Sequence, residues 1–66
     1  MNLQINGETH EIESTLTITD FLVGRGLNPQ LIVVERNREI VPRNLYSETV
    51  LLPEDELEIV QMMAGG

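Results

Sequence analysis

The chain has 66 residues, no cysteine and one histidine, and its 11 acidic against 4 basic side chains leave a net charge of -7. A chain of this size holds one domain around one core. The lack of thiols excludes disulfides and thiolate metal sites, and the acidic balance argues against nucleic acid or an anionic membrane as partner. A partner with a basic surface suits this charge, and so does plain solubility. With no staple available, the fold must stand on apolar burial, which the 41% apolar composition permits. No apolar run approaches the roughly 20 residues of a membrane span. The opening MNLQING carries no basic stretch followed by an apolar one, so no secretory signal is expected and cytoplasm is the expected compartment.

LQINGETHEI reads as a hairpin. Leu3 and Ile5 alternate with Asn2 and Gln4, the period of a half-buried strand. Asn6-Gly7 supplies the positive φ that a type I′ turn demands, and the return strand runs from Glu8 to Ile12. TLTITDFLVGRGL reads as a short helix. Thr17 is its N-cap and Asp20 completes a capping box, while Leu16 and Phe21 occupy the positions of a hydrophobic staple. Ile18, Phe21 and Leu22 share the buried face, Gly26 ends the helix in the left-handed region, and Leu27 folds back on it.

After Asn28-Pro29, LIVVE is β-branched and apolar, as expected of a central strand buried on both faces. ERNRE is a polar turn with Asn37 at positive φ, EIV a brief strand ended by Pro42, and RNLY a single helical turn. Pro53-Glu54-Asp55 turns the chain into ELEIVQ. There Leu57 and Ile59 point one way, and Glu56, Glu58 and Val60 the other. One helix must cover one face of one sheet to close so small a core. This order predicts an α+β fold of the β-grasp or ubiquitin-like kind, with a mixed sheet of four to five strands. Its first and last strands should lie parallel at the sheet centre. Residues 1–61 make the domain, and residues 62–66 are expected to be a flexible tail.

Few residues invite a chemical role. His10 lacks a neighbouring nucleophile to activate, so an exposed strand residue is expected. The glycines of Gly24-Arg25-Gly26 end a helix, whereas a phosphate loop precedes one. Glu54, Asp55, Glu56 and Glu58 are read as a solvated face; if functional, they suit partner recognition better than catalysis or hard-metal binding. Val60 and one of Met62 and Met63 form either a core edge or a small apolar docking patch rimmed by acids. Gly65 and Gly66 fit a terminus that is itself handled: without Cβ they enter slots and take backbone angles closed to other residues.

INGE in the hairpin, NREIVPRNLY, PEDELEIVQ and the final AGG together resemble the ThiS family, the sulfur carriers of thiamine thiazole biosynthesis, over essentially the full chain. One departure is Arg36, where a more apolar residue is expected. The resemblance implies a carrier and not an enzyme, with no metal and no cofactor bound by this chain. A ThiF-like adenylyltransferase is implied to use ATP to adenylate the Gly66 carboxylate. Sulfur from a donor such as a cysteine desulfurase then replaces AMP, leaving a thiocarboxylate, and a ThiG-like thiazole synthase takes that sulfur. Ala64 and Gly65 would thread the partner's slot, and Val60, Met62, Glu56 and Glu58 would dock. A molybdopterin-type sulfur carrier, a ubiquitin-like protein modifier and a plain β-grasp interaction module are the alternatives.

Overall fold

The computed structural model describes residues 1–62. It begins with the expected hairpin, in which β1 (Asn2–Ile5) pairs antiparallel with β2 (Glu8–Glu11), from Asn2↔Glu11 to Ile5↔Glu8. Asn6 at φ 50° and Gly7 at φ 83° give the turn both left-handed positions of type I′. Helix α1 (Ile18–Gly24) has only seven residues, far too few to be stable alone. Its ends and one buried face hold it. The Asp20 N–H donates to Thr17 Oγ1 at 3.1 Å, and the Thr17 N–H to Asp20 Oδ2 at 3.4 Å, closing the capping box. At the other end Gly26 takes φ 74°. Its N–H donates to Val23 O, and that of Leu27 to Leu22 O, both at 2.9 Å, which is the Schellman pattern. Ile18, Phe21 and Leu22 are buried.

A 3-10 turn at Pro29–Leu31 then leads into β3 (Ile32–Arg36). Asn37 and Arg38, both at positive φ, turn the chain into β4 (Glu39–Ile40). A second 3-10 turn at Arg43–Leu45 precedes the loop into β5 (Glu56–Gln61). The five strands lie in the order β2-β1-β5-β3-β4. β5 runs parallel to β1 (Gln4↔Glu56, Ile5↔Leu57) and antiparallel to β3 (Val33↔Val60, Glu35↔Glu58). First and last strands are therefore neighbours at the centre, as the β-grasp arrangement requires.

β3 departs from expectation. Ile32 and Val34 are buried, but Val33 and Glu35 on its other face are only half-buried. One seven-residue helix covers one side of the sheet, and a chain this short has no second layer for the other. Leu31, read as the start of the strand, belongs instead to the turn that Pro29 opens. No helix among the described residues is long and apolar enough to cross a membrane.

Tyr46 closes the β3 edge that the two-residue β4 is too short to pair. Its buried hydroxyl donates to Ile32 O at 2.8 Å and accepts the Val34 N–H at 3.1 Å. Tyr46→Phe keeps the ring, strands the Val34 N–H in the core and leaves Ile32 O with only a long 3.5 Å bond from Arg43 Nη2. We expect a loss of about 1–3 kcal/mol in urea denaturation at unchanged m-value. A variant as stable as the parent would show that solvent satisfies that edge.

Candidate functional site

Every site residue predicted from sequence lies on or beyond β5, so the site is built from the way that strand is held. Its entry is fixed by Asp55, read above as one of a run of solvated acids. That reading is corrected here, because Asp55 is 5% exposed. Asp55 Oδ2 accepts from the Leu52 N–H and from Arg36 Nε, each at 2.8 Å, and Oδ1 from Asn37 Nδ2 at 3.1 Å. Asn37 also holds the strand directly: its N–H donates to Glu56 O at 2.8 Å, and its Oδ1 accepts the Glu56 N–H at 3.0 Å. Burial pushes the Asp55 carboxyl up, but the Leu52, Arg36 and Asn37 hydrogen bonds and the Arg36 charge outweigh it and hold it below the ordinary carboxylate value. Arg36, the departure noted in the sequence, is thus the counter-ion of a buried acid.

Beyond Asp55 the strand alternates as expected. Leu57 is buried and Ile59 half-buried beneath the helix, while Glu56, Glu58 and Val60 are exposed on the open face. Cross-strand neighbours extend that face. Val33 lies beside Val60, Glu35 beside Glu58, and Ile40, 68% exposed, beside Glu35. Val60 is 60% exposed and Met62 40%. The choice between core edge and surface patch therefore falls to surface for both, bordered on the open face by Glu58 and Glu56. Met62, placed in the tail by the sequence reading, is still tied to the turn that precedes β3 through its N–H to Leu31 O at 2.7 Å. Met63, Ala64, Gly65 and Gly66 lie outside the described residues.

His10 is half-buried rather than exposed. The Arg25 guanidinium, which can only donate, bonds its Nδ1 at 2.7 Å. Arg25 also lies 4.9 Å from the Phe21 ring centroid. This pair ties the hairpin to the helix end and accounts for His10 without catalysis. Among the described residues, no three acids or histidines gather in a way that could hold a metal ion.

The arrangement is a small five-stranded sheet with an acidic, partly apolar open face, whose central strand is the last among the described residues. A family model described as the ThiS family matches residues 3–66. The chain belongs to the ThiS family. The protein named sulfur carrier protein ThiS of Bacillus subtilis (strain 168) is 38% identical over 65 residues, spanning 97% of this chain and 98% of that one. Proteins named thiazole synthase in Magnetococcus marinus and Paramagnetospirillum magneticum are each 38% identical over all 66 residues. This chain spans only 20% of either of those relatives. The crystal structure of a thiamine biosynthesis protein (ThiS) from Geobacter metallireducens aligns over the whole of both chains with a TM-score of 0.84 at 28% identity. The family's fold is thus the β-grasp fold described above.

The Asp55 cluster has a pH signature. Because its folded pKa is depressed, its contribution is fully present above the ordinary value of about 3.9 and disappears as pH falls through the folded value. Asp55→Asn should cost about 2–3 kcal/mol near neutrality, and the gap to the parent should close on acidification. Urea titrations at a series of pH values test this; a gap that stays constant into strong acid would exclude the carboxylate as its source.

Proposed function

We propose that this chain is a sulfur carrier of thiamine biosynthesis whose working group is the Gly66 carboxylate, and that it catalyses nothing itself. The observation that carries this reading is the match to the Bacillus subtilis carrier over nearly the full length of both chains. The absence of cysteine from all 66 residues supports it as well, since no thiol can hold persulfide sulfur. That leaves the main-chain terminus as the evident place for covalent sulfur.

The chemistry follows from leaving groups. A free carboxylate is a poor acyl donor. A ThiF-like adenylyltransferase joins the Gly66 carboxylate to the α-phosphate of ATP, releasing pyrophosphate. Sulfide, released when a reducing thiol cleaves the persulfide of a donor such as a cysteine desulfurase and is itself oxidised to a disulfide, then attacks the acyl carbon and AMP departs. The product is a thiocarboxylate, ionised at neutral pH, with charge on a soft sulfur. ATP and all catalytic groups belong to the partner. The acceptor is a ThiG-like thiazole synthase, and proteins of that name that contain a stretch like this whole chain support a direct hand-over.

Reach and docking are consistent with this scheme. Four residues follow Met62, and extended at about 3.3 Å each they span roughly 13 Å, enough to enter a neighbouring active site. Ala64 and Gly65 offer little or no side chain to obstruct a narrow slot. Val60 and Met62, with Glu56 and Glu58 nearby, suit a partner that offers an apolar contact flanked by basic residues.

Intact mass after incubation with ATP, activating enzyme and sulfide tests the central claim. The expected gain is one sulfur in exchange for one oxygen, mapped to Gly66, and its complete loss on deletion of Gly66 with the fold intact. Sulfur gained only with a molybdopterin-pathway activating enzyme, attachment to lysines, or function that survives the deletion would each overturn it in favour of a different class. For docking, Val60→Asp and Glu58→Arg should each weaken binding to the activating enzyme about 5- to 30-fold, the latter with a smaller salt dependence. Unchanged affinity in both variants would remove the open face from the interface.

A further inference from the structure

β1 ends at Ile5, and the chain then turns away through Asn6 and Gly7. Its parallel pairing with β5 stops at Ile5↔Leu57, followed by a single bond from the Asn6 N–H to Leu57 O at 2.9 Å. Along β5 the even-numbered residues turn their main-chain groups towards β3, as the bonds at Glu56 and Met62 show. Leu57 and Ile59 therefore face the β1 side. At Ile59 the main chain of β1 has already gone. A side chain takes its place: Asn6 Oδ1 accepts the Ile59 N–H at 2.8 Å, and Asn6 Nδ2 donates to Ile59 O at 3.3 Å.

The carboxamide stands in for a peptide group and adds one more rung to the sheet, across 53 residues of sequence. Few residues could do this. The task needs a donor and an acceptor on one short side chain, at a position with φ 50°. Aspartate lacks the donor, glycine lacks both groups, and a β-branched residue resists the backbone.

We infer that Asn6 is a positioning residue for the carrier's C-terminus. It clamps Ile59 from the β1 side, opposite the Val33–Val60 pairing with β3 and the Met62 N–H bond to Leu31 O. β5 is thereby held on both sides at Ile59, seven residues before Gly66. The inference rests on the sulfur-carrier reading. A strand end held before docking need not be ordered during it, so the clamp should act on productive binding and not on the acyl chemistry.

The test uses the full chain with two substitutions. Asn6→Gly keeps the left-handed turn and removes the amide, and Asn6→Asp keeps the acceptor and loses the donor. Hydrogen exchange is followed at the Ile59 amide and, as a remote reference, at the Val34 amide. Thiocarboxylate formation with a ThiF-like adenylyltransferase, ATP and sulfide is followed by intact mass at varied carrier concentration. In Asn6→Gly the Ile59 amide should exchange roughly tenfold faster with Val34 unchanged. The KM for the carrier should rise about five- to tenfold with kcat within about twofold, and Asn6→Asp should recover part of that loss. Unchanged exchange at Ile59 would show that no clamp exists. Faster exchange at wild-type KM, or equal acceleration at Val34, would reduce Asn6 to a structural role. A parent chain that gains no sulfur overturns the carrier reading and the positioning role together, while the exchange data still report the clamp separately.

Discussion

β5 lies between β1 and β3, so the residue at which it enters the sheet sets the register on both sides. That entry is fixed by the buried carboxylate of Asp55. Its two oxygens gather the Leu52 N–H, the Arg36 guanidinium and the Asn37 amide. They join the loop before β5 to the turn after β3 at one point. Glu54, at φ 70°, turns the chain sharply just ahead of it, and its N–H is taken up by Asn2 O at 2.8 Å. A slip of one residue there would turn Leu57 outward and Glu58 into the core. The cluster thus specifies register as well as adding stability, because a buried acid tolerates no alternative that leaves it unpaired.

The features legible in the sequence are those whose partners lie within a few residues. Asn6-Gly7, the Thr17–Asp20 capping box, the Gly26 stop and the alternation of ELEIVQ are local rules, and the structure follows each. The missed features depend on long separations. Asp55 meets Arg36 across 19 residues, Tyr46 meets Ile32 across 14, and Arg25 meets His10 across 15. In sequence Asp55 is indistinguishable from the solvated Glu54 and Glu56 beside it. The one available signal was Arg36, a charge where an apolar residue was expected. A cation where an apolar residue is expected calls for a counter-ion, and Asp55, one residue before the neighbouring strand, was within reach. The apolar run of β3 misled for a different reason: composition reports how a strand could be buried, not whether enough chain exists to bury it.

The same shortage of chain shapes the proposed site. A domain with one helix leaves one sheet face open, and here that face carries Glu56, Glu58 and Glu35 beside Val60, Val33 and Ile40. Acid side chains on an open sheet also discourage face-to-face association, which a bare apolar face would invite. The face is therefore compatible with solubility when free and with a basic partner when docked. Nothing in the interior has to change between the two states, since the core lies wholly on the other side of the sheet.

If the proposed chemistry takes place at the Gly66 carboxylate, stability and reactivity reside in different parts of the chain. The Asp55 cluster, the Tyr46 bonds and the Asn6 rung hold the fold at positions 6 to 59, whereas the proposed reacting carboxylate is at Gly66. Substitutions in the Asp55 cluster or at Tyr46 act through the fraction folded; under the proposed function, those at Gly65 or Gly66 act through the partner. Asn6 sits between these classes. It belongs to the first hairpin, yet it holds the last strand at the point where β1 can no longer do so. A small domain has few rigid elements with which to aim a chain end. Using the side chain of a turn residue as an extra sheet rung extends the rigid part of β5 without lengthening β1, and it does so beside the turn where Asn is already favoured for its backbone.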